Sequence, residues 1–180
     1  NSDVLAASEV IKNMALISFT RSAKSSSLYF SLSHVLSTSI VGLHILNAMR
    51  CRDGFVRPAQ IINLMASVLF CNIGVIRGIL NEDNGDHQKI DNEKPRFIDQ
   101  SFTDSSLWPY KSFRSTKFIQ EISFLDSSIN YELVSRAIEY SDFFGKAPDP
   151  SADAGEIAKY VRAIQVITLM SDQNYERKLV

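Results

Sequence analysis

The chain has 180 residues, of which 45% are hydrophobic and 22% charged, as is typical of one globular domain whose core needs no disulfide or metal. The formal net charge of −1 gives no electrostatic reason to expect nucleic acid or an anionic membrane as a partner. The two cysteines, Cys51 and Cys71, form no spacing motif, and we interpret them as reduced thiols in a reducing compartment.

Apolar residues at helical spacing predict a series of helices separated by serine, glycine and proline turns. The predicted helices cover about residues 3–19, 28–49, 58–70, 109–124, 128–144 and 153–170. In the second of these, the expected buried face consists of Leu32, Val35, Leu36, Ile40, Leu43, Leu46 and Ala48. No stretch alternates as a strand would, so the sequence predicts an all-α fold of six or seven helices.

Two stretches, 25–49 and 58–76, lack formal charge and are long enough to cross a bilayer. The first contains seven serines and two histidines, and the second contains a proline, a glutamine and two asparagines. Such groups are unfavourable in hydrocarbon, so we predict buried core helices and no transmembrane segment. No secretory signal is visible, and the lack of an initiator Met is compatible with a removed targeting segment.

The stretch 81–96 is polar and acidic and contains Gly85 and Pro95. Its acidic positions do not fit the spacing of an EF-hand calcium loop. We therefore expect an exposed, solvated loop here.

Four phrases occur along the chain in a fixed order. Residues 29–34 read Tyr-Phe-Ser-Leu-Ser-His and are followed at 41–46 by Val-Gly-Leu-His-Ile-Leu. Residues 69–79 read Leu-Phe-Cys-Asn-Ile-Gly-Val-Ile-Arg-Gly-Ile. Residues 103–117 begin Thr-Asp-Ser-Ser-Leu-Trp-Pro-Tyr-Lys, and residues 162–178 end Asp-Gln-Asn-Tyr-Glu-Arg-Lys.

Together these phrases resemble the HD-domain metal-dependent phosphohydrolases, in a branch common in cyanobacteria. The corresponding phrases of that branch are Tyr-His-Asn-x-x-His, Leu-x-His-Asp-Ile-Gly-Tyr-Val-Arg-Gly-Ile, Thr-Asp-x-x-Leu-Thr-Pro-Tyr-His and Asp-Pro-Asn-Tyr-x-Arg-Lys. The resemblance covers residues 28–180 and implies a compact HD-like helical bundle. Residues 1–27 would form an N-terminal helix and a serine-rich joint that packs on this domain or leads into it.

The resemblance implies a metal site at His34, Cys71, Asn72 and Gln165, where the family has two histidines and two aspartates. Only His34 is a usual ligand, and the two amides lack the negative charge with which aspartate offsets a metal cation. We therefore expect no metal and no cofactor. A zinc site on His34 and Cys71 would need further ligands that the sequence does not offer.

Other positions of the implied active site have also changed. Phe30 stands where the family has a histidine acting as general acid, and Lys111 stands where it has another histidine. The resemblance also suggests that Arg77, Arg114 and Lys117 bind a small anion in the emptied cleft; the alternative is ordinary ion pairing at the surface.

These substitutions predict a pseudoenzyme rather than an enzyme. The leading interpretation is a non-catalytic structural or adaptor subunit that binds protein partners in a larger assembly. The first alternative is a sensor that binds a ligand in the vestigial phosphate or nucleotide cleft. The second is a metal-dependent phosphohydrolase with atypical ligands. The expected location is a soluble, reducing compartment, either the cytoplasm or an organelle interior such as the plastid stroma.

Overall fold

The computed structural model describes residues 2–123, 127–143 and 155–173. These residues form six α-helices: α1 (Ser2–Ser22), α2 (Leu32–Asp53), α3 (Pro58–Phe70), α4 (Lys111–Ser123), α5 (Tyr131–Ser141) and α6 (Gly155–Ser171). Two 3-10 segments (Ile73–Val75 and Asp104–Tyr110) and two very short strands, β1 (His87–Gln88) and β2 (Arg96–Phe97), complete the described elements. The predicted all-α fold is confirmed. The loop predicted at 146–151 lies outside the described residues.

Helix α3 is the centre of the fold. Its residues from Ile62 to Phe70 are all buried, and it packs against α1, α2, α5 and α6. Pro58 occupies the first turn, where a missing N–H is harmless. The Gln60 side-chain oxygen accepts a hydrogen bond from the Arg57 N–H at 3.1 Å, which caps the helix start. The uncharged sequence of this stretch thus matches burial on nearly all sides.

Helix α1 belongs to the same core. Ala7 and Met14 are buried in one apolar cluster with Phe70, and the Ser18 hydroxyl donates to the Leu69 carbonyl at 2.6 Å. The N-terminal segment therefore packs on the rest of the chain.

Helix α2 begins four residues later than predicted and ends later as well. Ser31 precedes its first turn, and Gly54 ends it in the left-handed region with φ 76°. The Gly54 N–H donates to the Arg50 carbonyl at 2.9 Å. This positive φ favours glycine because a side chain would clash with the backbone.

The predicted buried face of α2 was wrong. Leu36, Ile40 and Leu43 are 41%, 56% and 55% exposed, and form an apolar stripe on the outside of the helix. The covered face instead carries small and polar residues: His34, Val35, Thr38, Ser39, Gly42 and Met49. Periodicity identifies an apolar stripe but does not reveal which face the neighbouring helices cover.

Two described segments are long and apolar enough to cross a membrane, Leu32–Asp53 and Pro58–Val75. In the second, 78% of the apolar window is buried inside the fold, as expected for the core helix of a soluble protein. In the first the buried share is 33% because of the exposed stripe. Both are compatible with a soluble protein.

The prediction of an exposed loop over 81–96 was also wrong in part. Gln88, Lys89 and Ile90 are buried, and β1 pairs antiparallel with β2. The Asp83 side chain is fully buried against Arg114, which anchors the loop to the core. Sequence composition identified the acidic surface of the loop but not this internal partner.

Candidate functional site

Three elements bring the predicted site residues together. His34 lies in the first turn of α2, Cys71 and Asn72 follow the last residue of α3, and Gln165 lies in the middle of α6. His34, Cys71 and Asn72 are 3%, 1% and 8% exposed. The positions that the family resemblance singled out are thus neighbours beneath the surface.

A chain of hydrogen bonds connects them. The Asn72 amide nitrogen donates to His34 Nε2 and to the Gln165 side-chain oxygen, both at 3.1 Å. The Gln165 amide nitrogen donates to Cys71 Sγ at 3.0 Å, and the Cys71 thiol donates to the Val68 carbonyl at 3.2 Å. Because His34 Nε2 accepts a proton, the neutral imidazole carries its own proton on Nδ1. The network is therefore composed of neutral groups.

Cys71 is held in its thiol form. Burial raises the pKa of the Cys71 thiol to about 12, although the positive charge of Lys111 acts in the opposite direction. Thiolate is the form that binds metals and acts as a nucleophile, and this pKa leaves very little of it near neutral pH.

The residues present do not fit the metal that the resemblance implies. A divalent cation in such a site needs anionic donors, and here the four positions supply a protonated thiol, two carboxamides and one imidazole. The amide groups also satisfy one another rather than aiming their oxygens at one point. No group of three or more histidine, cysteine, aspartate or glutamate residues in the described parts of the chain could hold a metal ion.

A lysine replaces a histidine beside this network. The Lys111 ammonium is 3.4 Å from an Asp142 carboxylate oxygen, and both side chains are about nine-tenths buried. The Ser112 hydroxyl donates to the same carboxylate at 2.6 Å. The buried ion pair therefore places a cation near Cys71. A second cation at the site would be repelled.

Gly74 allows Lys111 to approach. A Cβ atom on Gly74 would clash with the Lys111 carbonyl and would lie 2.6 Å from the Ser115 nitrogen. The Gly74 N–H donates to the Ser115 hydroxyl at 2.9 Å, which fixes the start of α4 on the end of α3. Glycine is required here by close backbone approach rather than by its dihedral angles.

Phe30 closes the other side of the site. It is 6% exposed, and its ring lies 5.9 Å from the rings of both His34 and Trp108 in centroid distance. The Tyr29 ring lies 4.6 Å from the ring of His34. The position implied for a general acid therefore carries an aromatic side chain that packs and cannot transfer a proton.

The cationic side chains predicted to bind an anion do not form one site. Arg114 is fully buried and donates to Asp83, so the anion-binding prediction was wrong for this residue. Arg77 donates to the carbonyls of Ile98 and Asp99, both at 2.8 Å. Lys117 is half-buried, and its ammonium lies 3.4 Å from the Gln120 side-chain oxygen. Arg114 and Arg77 stabilise loops instead.

The sequence did not reveal a cavity next to His34. Its volume is about 240 Å³, and it is lined by His34, Ser37, Thr168, Ser171, Asp172 and Gln173. Only His34 was a candidate residue, since hydroxyl side chains on two helices carry no signal of proximity. The acidic partners Asp83 and Asp142 were missed for the same reason: each lies about 30 residues from its cation, with no local motif.

The fold and the site define an all-α protein with a buried, neutral polar centre between α2, α3 and α6. The sequence model of the Npun_R2479-like family matches residues 4–180, so the chain belongs to that family. No curated protein and no solved structure matches the chain.

Proposed function

We propose that this chain is a non-catalytic relative of the HD-domain phosphohydrolases that serves as a structural or adaptor subunit of a larger protein assembly. The observation that carries the proposal is the meeting of positions 34, 71, 72 and 165 in one hydrogen-bonded cluster. They were singled out from sequence phrases alone, and they are as much as 94 residues apart among the bonded pairs. A spurious resemblance would give no reason for them to meet.

The neutrality of the cluster supports a non-catalytic role. Metal-dependent phosphohydrolysis requires a cation that lowers the pKa of water and stabilises the leaving phosphate oxygen. The hydrogen-bonded amides and the protonated thiol stabilise this region without such a charge. Lys111 supplies a positive charge that is already balanced by Asp142.

The exposed stripe of α2 supports a role in assembly. Leu36, Ile40 and Leu43 follow the i, i+4, i+7 spacing with which one helix packs on another. No formal charge occurs on α2 before Arg50, so a partner meets an apolar and uncharged surface. Large exposed apolar side chains grouped on one face are typical of protein interfaces.

The assembly role is tested by substitution on the stripe. We expect Ile40→Glu to remove the protein from its native high-mass complex, as measured by size-exclusion chromatography of a gentle extract of its own cells. Asn13→Glu, a change to the same residue at an exposed position of α1, is the matched control and should leave the complex intact. Circular dichroism should be the same for both variants, because both positions are exposed. Elution of the unaltered protein as a free monomer would contradict the proposal.

The proposed location is a reducing compartment, either cytoplasm or the interior of an organelle such as the plastid stroma. Cys51 is exposed and Cys71 is buried, and both are free thiols. An exposed unpaired cysteine is more common where thiols are kept reduced.

A further inference from the structure

The cavity beside His34 lies at one end of the packed pair α2 and α6. These helices run antiparallel: at the opposite end Arg52 of α2 contacts Glu156 of α6 at 3.0 Å. The start of α2 and the end of α6 thus enclose the cavity, which is lined by Ser37 of the first helix and Thr168 and Ser171 of the second.

Thr168 is the residue that this cavity leaves unexplained. It is 2% exposed, yet its hydroxyl has no hydrogen-bond partner in the described structure. Other buried hydroxyls on helices donate to a carbonyl of the preceding turn: Thr38 to His34 and Ser67 to Asn63, at 2.9 and 2.8 Å. Leaving a buried hydroxyl unpaired costs about 1–3 kcal/mol. A hydroxyl that lines a cavity can instead pair with a molecule inside it.

The lining determines what that molecule is. The lining residues include no lysine or arginine, and Asp172 is the one that carries a formal charge. A phosphate or carboxylate group would therefore meet a carboxylate without a compensating cation. The remaining groups are hydroxyls, an amide and a neutral imidazole, which both donate and accept hydrogen bonds. Vicinal hydroxyl groups match this set, because each of them also donates and accepts.

The size of the cavity sets an upper limit on the ligand. A volume of about 240 Å³ is roughly that of eight liquid water molecules. It is smaller than the roughly 300–1,000 Å³ of pockets that hold drug-sized ligands. A molecule with about ten non-hydrogen atoms fills it without rearrangement of the helices.

We propose that this cavity binds a small, uncharged polyhydroxylated molecule, a monosaccharide or a polyol, through Thr168 and the Asp172 carboxylate. This inference goes beyond the proposed function and does not rest on it, since it involves neither a metal nor a protein partner.

The test is saturation-transfer NMR followed by calorimetric titration on the full chain. The probes are glucose, ribose, xylitol and glycerol, with glucose 6-phosphate as the anionic and ethanolamine as the cationic comparison. We expect at least one neutral probe to bind, and the two charged probes to bind more weakly. We expect Thr168→Val to weaken that binding about tenfold, since it removes one buried hydrogen bond and changes little volume.

Thermal unfolding separates a binding role from a structural one. Without ligand, Thr168→Val should leave Tm unchanged or raise it, because the hydroxyl that it removes is unpaired. Thr116→Val is the matched control: Thr116 is also buried, but its hydroxyl donates to the Phe113 carbonyl at 2.9 Å. This control should leave binding unchanged and lower Tm.

Three results would overturn the proposal. The first is no binding by any neutral probe, which would mean that the cavity holds water only. The second is tighter binding of the phosphate or the amine than of every neutral probe. The third is a loss of Tm in Thr168→Val equal to that in Thr116→Val, since this would assign the hydroxyl to the stability of the fold.

Discussion

Removal of Arg114 should be one of the most damaging single changes in the protein. Its guanidinium donates to both oxygens of Asp83, at 3.0 and 2.8 Å, and to the carbonyls of Gly74, Ile76 and Lys89, at 2.6, 2.9 and 2.7 Å. Both side chains of the pair are fully buried. Arg114→Met would leave the Asp83 carboxylate as an uncompensated charge in the core, which costs about 3–5 kcal/mol.

The expected loss is large against a typical total stability of about 5–15 kcal/mol. For a chain of this size, each kcal/mol corresponds to about 2–4 °C in Tm, so we expect Tm to fall by about 6–20 °C. Urea unfolding followed by circular dichroism measures the free energy directly. Asp83→Asn combined with Arg114→Met should lose less than the sum of the two single changes, because no unpaired charge remains.

Arg96→Met is the matched control for this experiment. Arg96 lies in the same loop region and pairs with Asp91 and Glu93, but its side chain is 52% exposed. Pairs of that kind contribute about 0–1 kcal/mol, so the control should resemble the unaltered protein. If Arg114→Met lost no more free energy of unfolding than Arg96→Met, the account of Arg114 as a buried anchor would be refuted.

Three further predictions concern the vestigial site. Gly74→Ala should lower the free energy of unfolding by about 3 kcal/mol or more, measured in urea, because the added Cβ clashes with the Lys111 carbonyl; an unchanged midpoint would contradict the close packing. In the folded protein a thiol reagent should modify Cys51 quickly and Cys71 only on unfolding, giving one and then two reactive thiols; two fast thiols would contradict the burial of Cys71. Because folding raises the pKa of Cys71 from 9.0 to about 12, its contribution to stability is complete below pH 9 and declines above it. The free energy of unfolding should fall by up to about 1.4 kcal/mol per pH unit in that window, and Cys71→Ser should lack this component.

The sequence predicted best where one local pattern decided the structure. The uncharged run of α3 indicated a buried helix, and Pro58 indicated its start; both predictions are confirmed. The prediction for α2 failed at its start and on its face. Its stripe of Leu36, Ile40 and Leu43 has the right period for a core helix, but the surrounding helices cover the opposite side. Periodicity reports a stripe, whereas tertiary packing decides whether it is covered.

Long-range pairing was beyond single-sequence reasoning. Nothing near Asp83 in the sequence indicates that it meets Arg114, and the loop was therefore assigned to solvent. Positions 34, 71, 72 and 165 could be grouped before the structure was known only because motif phrases supplied the missing distances. The cavity at Thr168 had no such phrase, since threonine within a helix is common and only its unpaired hydroxyl marks it.

The central claim is the loss of the metal site, and metal content tests it most directly. The protein should be purified without chelator after growth with manganese, iron and zinc, and measured by elemental mass spectrometry. We predict less than about a tenth of an equivalent of any transition metal, because the site offers no anionic donor. Restoring the implied ligands with Cys71→His, Asn72→Asp and Gln165→Asp, together with Lys111→His, should raise this content. Close to one equivalent in the unaltered protein, lost in His34→Ala, would contradict the account.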